Sequence, residues 1–156
     1  MKLLLLLFAV HLVAAANEAG FVVLRPSELK QYEQTLRSKP GANPYVRLKD
    51  INGHPAVVVH RGTTGPAEYH ENYGHLIYVI SGEATVVVGG ELSGNRRSVP
   101  DPLPGQVTIN ADSLTGGESK QITEGDIVQI PSKAPHWFKV DSGKQITYLM
   151  VILESK

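Results

Sequence analysis

The chemistry in this chain rests on six histidines, fifteen Asp and Glu residues and no cysteine. Thiolate nucleophiles, iron–sulfur clusters and cysteine zinc sites are therefore excluded. The densest group is Glu68-Tyr69-His70-Glu71-Asn72-Tyr73-Gly74-His75. On a strand Glu68 and His70 point the same way, because side chains two apart share a face. His75 opens the apolar stretch Leu76–Ile80 and shares a face with Ile77 and Val79. A distant partner is His136, presented after the stiff turn bounded by Pro131 and Pro135. Neutral imidazoles with a carboxylate, projecting inward from adjacent strands, make a site for a divalent first-row metal. Nitrogen lone pairs bind the ion and the carboxylate offsets its charge. Of the rest, His11 falls in an N-terminal leader, His54 sits in a turn facing solvent, and His60 reads as structural or as a rim residue. Glu71 points away from His70 into solvent, while Tyr69 and Tyr73 read as packing or rim residues.

The elements that must hold these residues are mostly strands. One helix is expected over residues 26–38, capped by Ser27, with Leu29, Tyr32 and Leu36 in one stripe and Pro40-Gly41 ending it. Beyond it the hydrophobic period becomes two. Strands are expected at 45–51, 56–60, 76–80, 85–88, 107–109, 127–130, 137–140 and 146–153. Asn52-Gly53 is a hairpin turn dipeptide, and Ser81-Gly82-Glu83 reads as a second turn. Many short β-branched strands between Gly and Pro turns indicate an all-β sandwich or barrel. Ile77, Val79 and Phe138 should face its interior. Trp137 should pack outside, under a sheet or the helix. The stretch 89–123, rich in Gly and Pro, reads as a long excursion around a short hairpin, partly covering the barrel mouth.

Two segments resemble the paired motifs of the cupins, which are small jelly-roll barrels. The first cupin motif has a His-x-His pair, a Glu, and a Gly seven residues further on. Gly82 matches that glycine, His75 stands at the Glu position, His70 at the second His and Glu68 at the first. In the second motif Gly125, Pro131 and His136 match in register, with Lys133 and Val140 in place of the family's Gly and Asn. Glu and His have exchanged places, yet the set is still three His and one Glu. The resemblance, to the small secreted bacterial cupins in particular, implies an all-β, cupin-like jelly-roll β-barrel with a short N-terminal helix. It implies a metal (Fe, Mn, Ni or Zn) on His70, His75, His136 and Glu68, with Glu68 either a ligand or an orienting neighbour. The chemistry it allows is of oxygenase, lyase or isomerase type, on a small oxygen-rich ligand such as an organic acid or sugar derivative. A non-catalytic barrel that binds a small molecule, and a metal-free structural barrel, remain open beside it. Cupin-like barrels often pair, so a homodimer is a further expectation.

Composition sets the frame. Of 156 residues, 42% are hydrophobic and 19% charged, with Lys plus Arg equal to Asp plus Glu. A neutral chain lacks the basic excess that drives nucleic-acid binding, so no nucleic-acid partner is expected. Residues 1–16 have the layout of a secretory signal peptide: Lys2, an apolar run from Leu3 to Val13, then Ala14-Ala15-Ala16. The run is too short for a bilayer, which takes ~20 residues, so no membrane span is expected after cleavage and the product is secreted or periplasmic. The division read from the chain is a signal peptide at 1–16, a helical segment at 17–44 and the barrel at 45–156.

Overall fold

The structure, a computed structural model, describes residues 21–39, 41, 43–101 and 106–155; the leader at 1–16 lies outside them. Helix α1 (Pro26–Arg37) is followed by ten strands: β1 (Tyr45–Arg47), β2 (Ala56–Arg61), β3 (Ala67–His70), β4 (Tyr73–Val88), β5 (Glu91–Pro100), β6 (Val107–Thr115), β7 (Glu118–Thr123), β8 (Ile127–Ile130), β9 (His136–Lys139) and β10 (Ile146–Glu154). All pairings are antiparallel. They build two sheets that share β4. Its first half lies between β10 and β8, and the sheet continues from β10 to β2 and β1. Its second half lies between β7 and β9, and that sheet continues to β3, β6 and β5. This is the jelly-roll architecture expected from the period-two pattern.

Period two also places the core. Val57 and Val59 on β2, Ile77 and Val79 on β4, Ile130 on β8, Phe138 on β9, and Ile146 and Tyr148 on β10 meet in one buried cluster. Each fully buried aliphatic side chain contributes about 1.5–3 kcal/mol. The opposite face of the first sheet is covered by α1, where Leu29 and Leu36 pack on Val58 and Ile80. Glu33 is buried in that seam, where it accepts from Ser81 Oγ and pairs with Lys30 at 3.2 Å and Arg37 at 3.6 Å.

Three local expectations are corrected. The helix N-cap is Arg25, with Pro26 at the first helical position and Ser27 inside the helix. The Arg25 amide donates to Glu28 Oε2 at 2.8 Å, so the acid in the first turn supplies the cap bond. Ser81-Gly82-Glu83 is not a turn but lies inside β4. Gly82 takes φ 79°, and a Cβ there would come within 2.0 Å of Gln145 O. β4 carries one extra residue, Ile80, opposite the Thr147–Tyr148 step of β10, so a bulge lies just before the glycine where β4 passes from one sheet to the other. The 89–123 stretch is not a loose excursion. It forms β5, a longer β6 and β7, and β5 pairs with β6 from Glu91↔Thr115 to Pro100↔Val107. Trp137 packs under a sheet, as expected: it lies on Ala67, Val87 and Leu114 of the second sheet and donates from Nε1 to Gly65 O at 2.7 Å.

Candidate metal centre

Three strands bring the histidines together. His70 ends β3, His75 is the third residue of β4, and His136 begins β9. Glu68 pairs directly with His136 across β3 and β9. His75 is flanked by Ile130 on β8 and Ile152 on β10. All three histidines are buried, their ring centroids lie 5.0–5.2 Å apart, and one nitrogen from each falls within 4.8 Å of the others. Glu68 stands beside two of them, with Oε2 3.7 Å from His70 Nε2 and 3.9 Å from His136 Nε2. His60 does not join this group. It is buried on the other face, with Nδ1 2.9 Å from Thr147 Oγ1. His54 closes the Asn52-Gly53 turn and is half-buried rather than solvent-facing.

Hydrogen bonding fixes which ring nitrogens carry lone pairs. The single hydroxyl proton of Thr108 goes to Asp101 Oδ2 at 2.5 Å. Thr108 Oγ1 can then only accept from His70 Nδ1, 3.2 Å away. His136 Nδ1 lies 3.1 Å from the carbonyl of Ala134, which also only accepts. Both rings therefore turn an Nε2 lone pair toward Glu68 Oε2, itself an acceptor. His70 Nε2 and His75 Nδ1 are buried with no hydrogen-bond partner. Converging acceptors without a proton between them are unfavourable in a buried site, and a cation relieves that. The donor set fits a divalent first-row ion.

Electrostatics keep the nitrogens available. Burial holds His75 well below the usual imidazole value, and the neighbouring His136 and His70 push the same way. Burial also lowers His136, to about 4, against the opposing pull of the Glu68 carboxylate. Both rings are thus neutral near pH 7. Burial alone would raise the Glu68 pKa, but His70, Arg61 and His136 outweigh it and hold the carboxyl below its usual range. The Arg61 guanidinium is the permanent cation among these neighbours.

Sequence reasoning missed Arg61, Asp101 and Thr108 and left the place of Tyr73 open between packing and rim. Arg61 Nη2 lies 3.4 Å from Glu68 Oε1, its Nε donates to Tyr148 OH at 2.8 Å, and its guanidinium covers Phe138 at 5.2 Å. Its inward direction was available from parity with Val57 and Val59. Tyr73 stacks on His70, with centroids 4.3 Å apart, and donates to Asp101, which also accepts from Thr108. Tyr73 is thus a buried support of His70 and not a rim residue. A cavity of about 250 Å³ opens beside the group, reached by Arg61, Glu68, His70 and His75.

Among solved structures the chain is similar to a protein with a double-stranded beta-helix domain from Klebsiella pneumoniae subsp. pneumoniae, with TM-score 0.51 and 17% identity over 80% of this chain and 85% of that one. It is also similar to a protein from Neisseria meningitidis, with TM-score 0.50 and 14% identity over 78% of this chain and 95% of that one. A third is a cupin-2 domain from Rhodospirillum rubrum, with TM-score 0.50 and 15% identity over 74% of this chain; the match spans 63% of that structure's chain. The fold is the cupin fold. No family model matches the sequence, and no curated protein matches it. In the cupin barrel the two motif segments fall on β3–β4 and β8–β9, and the Glu–His exchange leaves the histidines facing one another. His75, at the glutamate position, reaches the other two rings from β4, while Glu68 on β3 faces them from the Arg61 side. Among the described residues no helix is long and apolar enough to cross a membrane.

Proposed function

We propose that this cupin binds a divalent first-row metal ion (Fe, Mn, Ni or Zn) through His70, His75 and His136, with Glu68 as fourth ligand or close neighbour, and uses it to hold a small oxygen-rich molecule. The observation that supports this is the set of acceptors with no proton among them: His70 Nε2, His136 Nε2 and Glu68 Oε2. A bound ion would supply Lewis acidity toward a carbonyl or carboxylate oxygen. The chain's own residues orient and select. Thr108 and Asp101 fix the His70 tautomer, Ala134 fixes that of His136, and Arg61 keeps Glu68 ionised. The cavity admits a small organic acid or sugar derivative, on which oxygenase, lyase or isomerase chemistry is compatible with such a site. Binding without turnover is favoured by one feature: Glu68, the carboxylate nearest the histidines, is tied to Arg61 through Oε1 and held ionised, which suits an acceptor more than a proton donor. The leader pattern supports export to a secreted or periplasmic location, with cleavage after Ala16; N-terminal sequencing of the native protein should then begin at Asn17.

Elemental analysis of the purified protein tests the metal reading. About one equivalent of a transition metal is expected, and the triple variant His70→Ala, His75→Ala, His136→Ala should lose it while keeping a β-rich circular dichroism spectrum. A wild-type protein that takes up no metal from Zn2+, Mn2+, Fe2+ or Ni2+ would leave the group as a structural cluster.

A further inference from the structure

The cavity beside the histidines has two chemically different walls. Its polar wall comes from the inner faces of β2, β3, β4 and β6, with Arg61, Glu68, His70, His75, Thr108 and Asn110. Its other wall is hydrocarbon: Val57 and Val59 of β2, Met150 and Ile152 of β10, and Val99 of β5. Val57 pairs with Met150 in register, so these side chains lie side by side as one apolar surface. At about 250 Å³ the space is below the ~300–1,000 Å³ of sites for drug-sized ligands. We propose, resting on the metal reading above, that the ligand is a short-chain aliphatic carboxylic acid bound as its anion, with the carboxylate at Arg61 beside the histidines and the hydrocarbon chain against the β2–β10 wall.

Arg61 is built for this role. The register puts it at the inward end of β2, opposite Ile146 of β10. Its side chain is 9% exposed, yet it lines the cavity. Tyr148 OH anchors Nε and the Phe138 ring backs the planar group, so the guanidinium is already fixed in direction. Nη2 contacts Glu68, and Nη1 has no hydrogen-bond partner among the described residues. Gly65 makes room for it: a Cβ there would come within 2.6 Å of Nη1. Asn43, which also lines the cavity, lies at the same corner. A guanidinium presents donors in a fork that matches a carboxylate. Charge points the same way. A divalent ion, Arg61 and Glu68 together leave two positive charges, and Asp101 behind His70 removes only one of them. A sugar suits the cavity poorly, because hydroxyls turned toward Val57, Val59, Met150 and Ile152 lose their water partners without replacement. Between the two ligand classes left open above, the walls select the acid.

Calorimetric titration of the full-length protein, with and without Zn2+, tests this using acetate, 3-methylbutanoate, 3-methylbutanamide and gluconate as probes. 3-Methylbutanoate should bind at least tenfold more tightly than acetate, its amide or gluconate. Arg61→Gln should weaken all the carboxylates at least tenfold, with Arg61→Lys recovering part of the loss. Met150→Asn should remove the advantage of 3-methylbutanoate over acetate, a readout independent of whether the Arg61 variants fold. Gluconate binding as tightly as 3-methylbutanoate, or the amide matching the acid, overturns the proposal. The two readings fail separately. Metal uptake with no carboxylate binding sinks this inference alone; carboxylate binding through Arg61 without metal uptake sinks the metal reading alone; and neither event sinks both.

Discussion

The two ends of the barrel interior are made by the same strands and behave as opposites. On β4 the inward positions run His75, Ile77, Val79; along β9 and the residue after it they run His136, Phe138, Val140. At one end each strand offers a buried imidazole, that of His75 with an unpartnered Nδ1, and two residues further it offers hydrocarbon packed into the common core. The apolar end is saturated: Ile77 and Val79 are fully buried, and Phe138 stacks on Tyr148 at 5.2 Å. The polar end is unsaturated, with acceptors facing acceptors. Stability and binding capacity are therefore separated along each strand by a single pleat, ~6.6 Å.

That separation can be broken by substitution on adjacent inward positions of β4. Ile77→Ala removes a fully buried side chain and should cost about 2–5 kcal/mol of unfolding free energy, measured by denaturant titration, while the folded fraction still takes up metal. His75→Ala removes a ring whose Nδ1 has no partner; metal uptake should fall at least a hundredfold with little loss of stability. If His75→Ala destabilises as much as Ile77→Ala, the two ends are one packing unit and the comparison fails.

A finer cut is made behind His70. Thr108→Val abolishes the bond that fixes the His70 tautomer and leaves Asp101 without one of its donors. Such supporting contacts are worth about 10–100-fold in metal affinity. Thr108→Ser keeps the hydroxyl and should restore most of the affinity in a competition assay with a chromophoric chelator. Equal affinities in the Val and Ser variants would show that Thr108 acts only by packing.

The smallest effect is the response of the apo-protein to acid. His75 and His136 have folded-state pKa values below their unfolded value of 6.5, with His136 near 4. Between pH 6.5 and 4 the unfolded chain therefore binds more protons than the folded one, so stability falls as the pH drops through that window. Glu33, lowered by its Ser81, Lys30 and Arg37 contacts despite burial, adds stability above its unfolded value of 4.5 that is lost as the pH falls below it. Thermal melts from pH 7 to 4 should show a declining midpoint, with the decline between 6.5 and 4.5 weakened in His75→Ala. A flat profile would mean that the imidazoles are solvated and that the buried end is not dry.

How far the sequence showed this depends on where each signal is local. Glu68, His70, His75 and His136 were legible because strand parity and two short motifs fix their direction, and the structure places them together. The passage of β4 between sheets was not legible, since Ser81-Gly82 reads alike for a turn and for a bulge; only the register of β10 decides. The β5–β6 arm was also hidden. Glu91–Pro100 is mostly exposed on both faces, so no alternation marks it as a strand. Its consequences are structural, because it carries Val99 to the cavity and leads directly into Asp101. Shortening it should therefore cost stability, against the expectation for a flexible lid. The Tyr73–Asp101 and Thr108–His70 contacts join residues 28 and 38 apart, beyond any local pattern.

The position of β10 has a bearing on when the molecule becomes whole. This strand, the last in the chain order of the described residues, inserts between β2 and β4 and gives His75 its neighbour Ile152. Until residues 146–154 emerge from the ribosome, the first sheet has a gap in its middle and the histidine corner lacks one wall. Pairing across so many intervening residues is slow to nucleate. A nascent chain stalled before residue 146 should accordingly remain protease-sensitive in β2 and β4, and acquire protection in both at once when β10 is released.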